Sequence, residues 1–316
     1  MRAWGICDEP VHLLVPSQQM RSAGRRARFH VWSPDVPVGA FWVLQDTVLL
    51  SGPEFTIIQL CGATARLEGL LDAHVSAVQA QTRTLRELGV NERPTVDHPL
   101  VREHERRIVA AAVLACEFAG TYRLGAPGEK TLYHVPAIMT MEGLAAMAES
   151  AGHNTAASRA RIVADVAFDG SASPMETALA LLLTLPVDYG GFGLVRPRLN
   201  ASIDVSAHRG ILADVDQVSP DYLWLDHGVA LEYDSAEFHA AVGRDARSDA
   251  VRANILTSLG YRVFRATPRV VRSLADVELL ARQLACALGT PLEEPSDVQA
   301  LRRRRLYAQL MPSRDA

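Results

Sequence analysis

The sequence predicts a mixed α/β fold over residues 171–316, preceded by a smaller α+β region. Three observations carry this. After Ser171 the patterns run helix, three strands, helix, strand, helix, an αβββαβα order that suits a mixed sheet flanked by helices rather than a doubly wound array. Upstream, short alternating strand patterns give way to helical spacing near Pro53. A length of 316 residues is enough for two or three domains, each with its own core. We therefore expect a β-rich, then helical unit over 1–95, a helical connection over 96–170, and the α/β domain over 171–316.

Taken in order, Val11–Val15, Arg28–Trp32, Phe41–Leu44 and Thr47–Leu50 are rich in β-branched and aromatic residues and read as short strands. Residues 53–90 read as helical, with Ile57, Leu60, Leu67, Leu70 and Leu71 at helical spacing. Pro94–Pro99 is a break, and Val101–Phe118 is a helix that is charged first and apolar later. Residues 119–139 form a Gly/Pro-rich connection, and helices follow near 141–151 and 156–168. Ser173-Pro174-Met175-Glu176 opens the next helix, which runs to about Leu185. It has the Ser-x-x-Glu capping box and a proline at the favoured first position. Gly190, Gly191 and Gly193 mark a loop. Strands are expected at Leu199–Val205, Asp221–Trp224 and Val229–Tyr233. A helix at about 246–259 ends at Gly260, before a strand at Tyr261–Arg265. A helix capped by Ser273 and a last one near 296–310 complete the chain.

Composition removes several function classes. Hydrophobic residues make up 48% and charged residues 22%, an ordinary globular mix. No apolar run approaches the roughly 20 residues of a membrane helix, and the start Met1-Arg2-Ala3-Trp4-Gly5 is not a signal-peptide pattern. The expected location is cytoplasmic, without membrane attachment. Cys7, Cys61, Cys116 and Cys286 are far apart and lack zinc spacing, so at least three are expected to be buried free thiols. The net charge of −4 argues against a general polycation. Lys130 is the only lysine, so the 32 Lys and Arg residues are otherwise arginine. A genome-wide preference for Arg codons accounts for that skew as well as phosphate recognition does.

The informative stretch is Pro220-Asp221-Tyr222-Leu223-Trp224, then Leu231-Glu232-Tyr233-Asp234. Side chains alternate along a strand, so Glu232 and Asp234 share a face. A turn at Asp226-His227-Gly228 makes a hairpin that can set Asp221 beside Glu232. Converging carboxylates repel unless a cation sits between them. Mg²⁺ (or Mn²⁺) suits such oxygen ligands and can activate water at a phosphodiester. Between Asp214 and Glu237 lie seven acids and no Arg or Lys, whereas Arg244 to Arg272 holds seven arginines against Asp245 and Asp249. An acidic knot beside a basic flank suits a metal-dependent enzyme acting on nucleic acid.

The runs SASPMETALALLL, PDYLW, LEYDSAEFH and RDARSDAVRANILTSLGYRVFR resemble the PD-(D/E)xK nuclease superfamily, in the branch related to very-short-patch-repair endonucleases, over about 171–290. Upstream, VHLLVP, RFHVW and LLSGPEFTIIQL resemble the middle part of abortive-infection antitoxin proteins, without the winged helix that often precedes it. The resemblance implies a restriction-endonuclease-like αβββαβ core. It makes Asp221 the first acid, Glu232 the second and Glu176 the helix-borne Glu of many members. Asp234 stands where the superfamily has its lysine. His239 or an arginine of 244–252 can supply that function, and the sequence does not select among them.

Plainer roles stand beside each of these. Glu176 is explained by helix capping, Asp221 by a turn after Pro220, Glu232 by a salt bridge to an arginine, and Asp234 by the loop after its strand. His239 is explained by packing. Val251, Ile255 and Leu259 are the expected buried side of the 246–259 helix, which leaves Arg244 and Arg252 outward; Arg244, Arg247 and Arg252 are the candidate DNA contacts. Arg25, Arg26, Arg28 and Arg302–Arg305 are either solvated faces or basic patches. The expectation is an Mg²⁺-dependent endonuclease-like protein acting on DNA, in phage defence or a toxin–antitoxin system, with residues 1–170 facing a protein partner. The alternative is a catalytically degenerate DNA-binding or partner-binding regulator of antitoxin type.

Overall fold

A computed structural model describes residues 11–22, 26–32, 34–45, 48–62, 103–125, 129–208, 215–234 and 246–311, with the side chains of 45, 103, 104 and 246–250 outside that description. It is a mixed α/β protein with small sheets and several helices. No helix among the described residues is long and apolar enough to cross a membrane.

The N-terminal strands fall close to their expected positions. β1 (Val11–Val15) pairs with β2 (Ala27–Val31) in parallel, and β3 (Phe41–Gln45) forms an antiparallel hairpin with β4 (Val48–Ser51). α1 (Pro53–Leu60) begins at the expected helix start, with Pro53 in its first turn. The remainder of the helix expected over 53–90 lies outside the described residues. α2 (Glu103–Phe118) is apolar over Ile108–Cys116, and those side chains are buried. The short strands β5 (Tyr122–Arg123) and β6 (Leu132–Tyr133) pair within the Gly/Pro-rich connection. α3 (Met141–Ser150) and α4 (Thr155–Val166) follow, capped by Thr140 and Asn154, whose side chains accept backbone N–H bonds.

α5 (Pro174–Thr184) lies at the centre. All eleven of its residues are buried, as expected for a helix that is apolar on every side. Ser173 caps it: its Oγ accepts the Glu176 N–H at 3.2 Å. The loop after it turns sharply against its own helix. A Cβ on Gly191 would fall 1.9 Å from the Leu185 carbonyl oxygen, so only glycine fits there.

The strand expected at 199–205 is instead two short pieces, β7 (Arg198–Leu199) and β8 (Ile203–Asp204). Asn200 separates them, with φ at 49°. Such a left-handed residue breaks the strand, and asparagine tolerates it better than most. β8 pairs with β9 (Gln217–Val218) as a separate hairpin. β10 (Tyr222–Trp224), β11 (Val229–Tyr233) and β12 (Arg262–Ala266) complete the main sheet, whose order is β12–β11–β10–β7. β10 is antiparallel to β7 and β11, whereas β12 is parallel to β11 and reaches it through the crossover helix α6 (Ala246–Ser258). β11 is buried along its whole length because both faces are covered. Tyr222, Trp224, Val229 and Leu231 join the large core with α5; Ala230 joins a smaller cluster with Ile255 and Leu256 of α6.

α7 (Pro268–Val271), α8 (Leu274–Ala287) and α9 (Asp297–Leu310) close the chain, the last two capped by Ser273 and Ser296. One hydrophobic cluster extends from Trp32 to Met311, so the segments expected at 1–95, 96–170 and 171–316 all contribute to it. Cys61 and Cys116 are buried and Cys286 is exposed; Cys7 lies outside the described residues.

Candidate acidic site

The antiparallel register pairs Tyr222 with Leu231, which sets Asp221 opposite Glu232 one step along the hairpin. Residues directly opposite on neighbouring strands share a face. Gly228 makes the hairpin possible, turning the chain in the left-handed region at φ 59°. The Asp221 carboxylate accepts the Tyr233 N–H at 2.7 Å, and the Asp221 carbonyl accepts the Asn200 N–H at 3.1 Å. Asp221 is therefore held by β11 on one side and by Asn200, just past β7, on the other.

Glu176 reaches this place from the first turn of α5. Its carboxylate accepts the Ala172 N–H at 2.9 Å, the Ser173 hydroxyl at 3.0 Å and the Asn200 side-chain amide at 2.6 Å. This differs from a standard capping box, in which the carboxylate would take the N–H of Ser173 itself. The Tyr222 hydroxyl donates to the Glu176 carbonyl at 3.0 Å and ties the helix start to β10.

Asp221, Glu232 and Glu176 are all buried, with 4%, 6% and 2% of their surface exposed. Burial pushes the Asp221 carboxyl well above the usual carboxylate range. Glu176 and Glu232 add to that push, while the Tyr233 N–H and Arg252 oppose it. The three acids thus form one electrostatic unit centred on Asp221.

Glu232 has a dedicated partner. Arg252 donates from Nε and Nη2 to its two carboxylate oxygens, each at 2.7 Å. The pair is nearly buried, with side-chain exposures of 13% for Arg252 and 8% for Glu232. This corrects the expectation that Arg252 faces outward as a DNA contact. The buried side of α6 is Ala253, Ile255 and Leu256, and Val251 is 39% exposed. Of the expected buried side, Ile255 is buried and Leu259 packs against its cluster, whereas Val251 turns outward. Arg252 lies one turn before Ile255 and Leu256, on the side facing Glu232.

Asp234 follows β11 and pairs with Arg265 of β12 at 3.5 Å; both side chains are more than 40% exposed. It lies at the margin, outside the buried unit. Arg247 lies on α6, with its side chain outside the described residues; Arg244 and His239 also lie outside them. The Arg302–Arg305 run has divided duties. Arg302 pairs with Asp188 at 3.2 Å, Arg303 is buried over the Phe192 ring and near Glu278, and Arg304 is exposed. Sequence reasoning missed Asn200, which bonds both Asp221 and Glu176. Its signal was an asparagine in a stretch otherwise read as continuous strand.

The donor chemistry of the acids suits a hard divalent ion such as Mg²⁺. Their arrangement is not ready for one. Among the described residues no three His, Cys, Asp or Glu side chains form a group that could hold a metal. Glu232 is committed to Arg252, and Glu176 to three donors. No family profile, curated protein or solved structure matches this chain.

Proposed function

We infer that the chain is an endonuclease-like protein of the PD-(D/E)xK type acting on DNA, with Asp221, Glu232 and Glu176 as its acidic centre. The observation that carries this reading is the convergence of three buried carboxylates from two strands and a helix on Asp221, opposed by one arginine. Burying three acids beside one base is costly, and such a cost is common where a site must hold a cation. The succession α5, β7, β10, β11, α6, β12 supports a restriction-endonuclease-like αβββαβ core, with the β8–β9 hairpin inserted. Mg²⁺ or Mn²⁺ would be held by Asp221 with Glu176 and Glu232, and would supply water activation and charge stabilisation at a phosphodiester. In the chain itself, Asn200 and the Tyr233 N–H orient the acids, and Arg252 balances Glu232. A role in phage defence or in a toxin–antitoxin pair, with residues 1–170 facing a protein partner, belongs to the same proposal and rests on the resemblance of the sequence alone.

Two observations favour a second reading, a catalytically degenerate regulator that binds DNA or a partner. Asp234 replaces the motif lysine, and Arg252 already occupies both oxygens of Glu232. One experiment separates the two. Supercoiled plasmid is incubated with the protein and Mg²⁺ or Mn²⁺, alongside Asp221→Asn and Glu232→Gln. Nicking by the wild type that both variants lose supports the enzyme. A wild type inert with both ions that still retards DNA in a gel supports the regulator.

A further inference from the structure

We propose that Arg252 is a built-in counter-cation of the acidic centre, so that a divalent ion binds only as the guanidinium leaves Glu232. The inference rests on the metal-centre reading above and names the residue that controls it. Arg252 spans both oxygens of Glu232 at 2.7 Å, so a fixed cation already sits on the face of the carboxylate that an ion would use. A guanidinium fork matches a carboxylate closely and never deprotonates, so raising the pH does not release it. The pair is nearly dry, which strengthens it against salt.

Arg252 and a divalent ion are thus alternative partners for the same two oxygens. A cation bound at Glu232 repels a second one there, and their apparent affinities are reciprocally linked. The Arg252 side chain is 13% exposed, and a long side chain can carry its charge toward solvent while its stem stays packed. Arg265, by contrast, is the cross-strand neighbour of Glu232 on β12, and its guanidinium pairs with Asp234 at the exposed margin.

The probe is Mn²⁺ alone, with free ion followed by electron paramagnetic resonance on the full chain, and with the thermal midpoint read in parallel. The expected result is that Arg252→Gln binds Mn²⁺ about tenfold or more tightly than the wild type. Its thermal midpoint then rises with Mn²⁺ more than that of the wild type does. Arg265→Gln removes the same charge nearby without freeing Glu232, and its dissociation constant should stay within about twofold of the wild type. Equal Mn²⁺ affinity in wild type and Arg252→Gln, lost in both on adding Asp221→Asn, overturns the role of Arg252 and leaves the metal centre standing. An Arg265→Gln gain as large as that of Arg252→Gln also overturns it, because bulk charge then accounts for the effect. No Mn²⁺ binding by either protein overturns the metal centre and the inference together. If Arg252→Gln does not fold, Arg252→Lys takes its place. A single ammonium cannot span both oxygens, so intermediate affinity is expected, and affinity equal to the wild type overturns the proposal.

Discussion

Removing Arg252 and removing its partner should cost very different amounts. In Arg252→Ala, Glu232 is left at 6% exposure, beside Asp221 and Glu176, with its two 2.7 Å bonds gone. Breaking one side of a buried ion pair costs about 3–5 kcal/mol, and two neighbouring carboxylates place the result toward the upper end. In Glu232→Gln the burden is smaller. The amide still accepts one bond from Arg252, whose long side chain can lead its charge outward. Repulsion on Asp221 also falls. A cost of about 1–2 kcal/mol follows, roughly that of weakening one charged hydrogen bond. The double variant Arg252→Ala/Glu232→Gln should lie near the Glu232→Gln value, because the penalty of Arg252→Ala comes from the stranded charge. Urea unfolding of all four proteins, with midpoints and slopes compared, measures this cycle. A cost for Arg252→Ala at or below that of Glu232→Gln, or additive effects in the double variant, would refute the reasoning.

Other expected outcomes follow from the same geometry. The folded Asp221 carboxyl holds its proton more tightly than the unfolded one, so its contribution is full below the unfolded range near pH 4 and is lost as pH rises toward the higher folded value. Asp221→Asn removes that loss and keeps an acceptor for Tyr233, so its stability relative to the wild type should increase with pH; a flat difference between pH 5 and 8 in thermal unfolding would argue against a raised carboxyl. Burial pushes the Cys61 and Cys116 thiols up to about 12, so in native protein near neutral pH a thiol reagent should label exposed Cys286 and spare those two, as read by peptide mass spectrometry. Gly191→Ala would drive a Cβ into the Leu185 carbonyl, and a large loss of soluble, folded protein is expected, checked by circular dichroism. Ser173→Ala removes the cap of α5 and a donor to Glu176, and should lower stability by about 1–2 kcal/mol in urea unfolding.

Much of the fold was legible along the chain because its signals are local. Ser173 followed by Pro174 marks a helix start through a side-chain cap and a preset φ, and α5 begins there. The alternation around Glu232 located β11 over Val229–Tyr233 with its expected ends. Asp221 and Glu232 could be set side by side in advance because a short hairpin has few registers, and Gly228 supplies its turn. Where the reading failed, the deciding interaction was distant or two patterns competed. Val251 looked as apolar as Ile255, yet β11 and the β8–β9 hairpin determine which side of α6 is covered, and that turned Arg252 inward. The break at Asn200 depends on bonds to Gly170, Glu176 and Asp221, none of them close in sequence.

The sequence by itself determined which residues bear charge, where the helices start and that two acids face each other across one hairpin, because these depend on neighbours a few positions away. Only the tertiary structure decided that Asn200 bonds Glu176 beside Asp221 and that the cation at Glu232 is Arg252, 20 residues away in the chain. Burial is the physical reason. The repulsion and pairing of these groups become strong only once the packed sheet and helices have excluded water from around them.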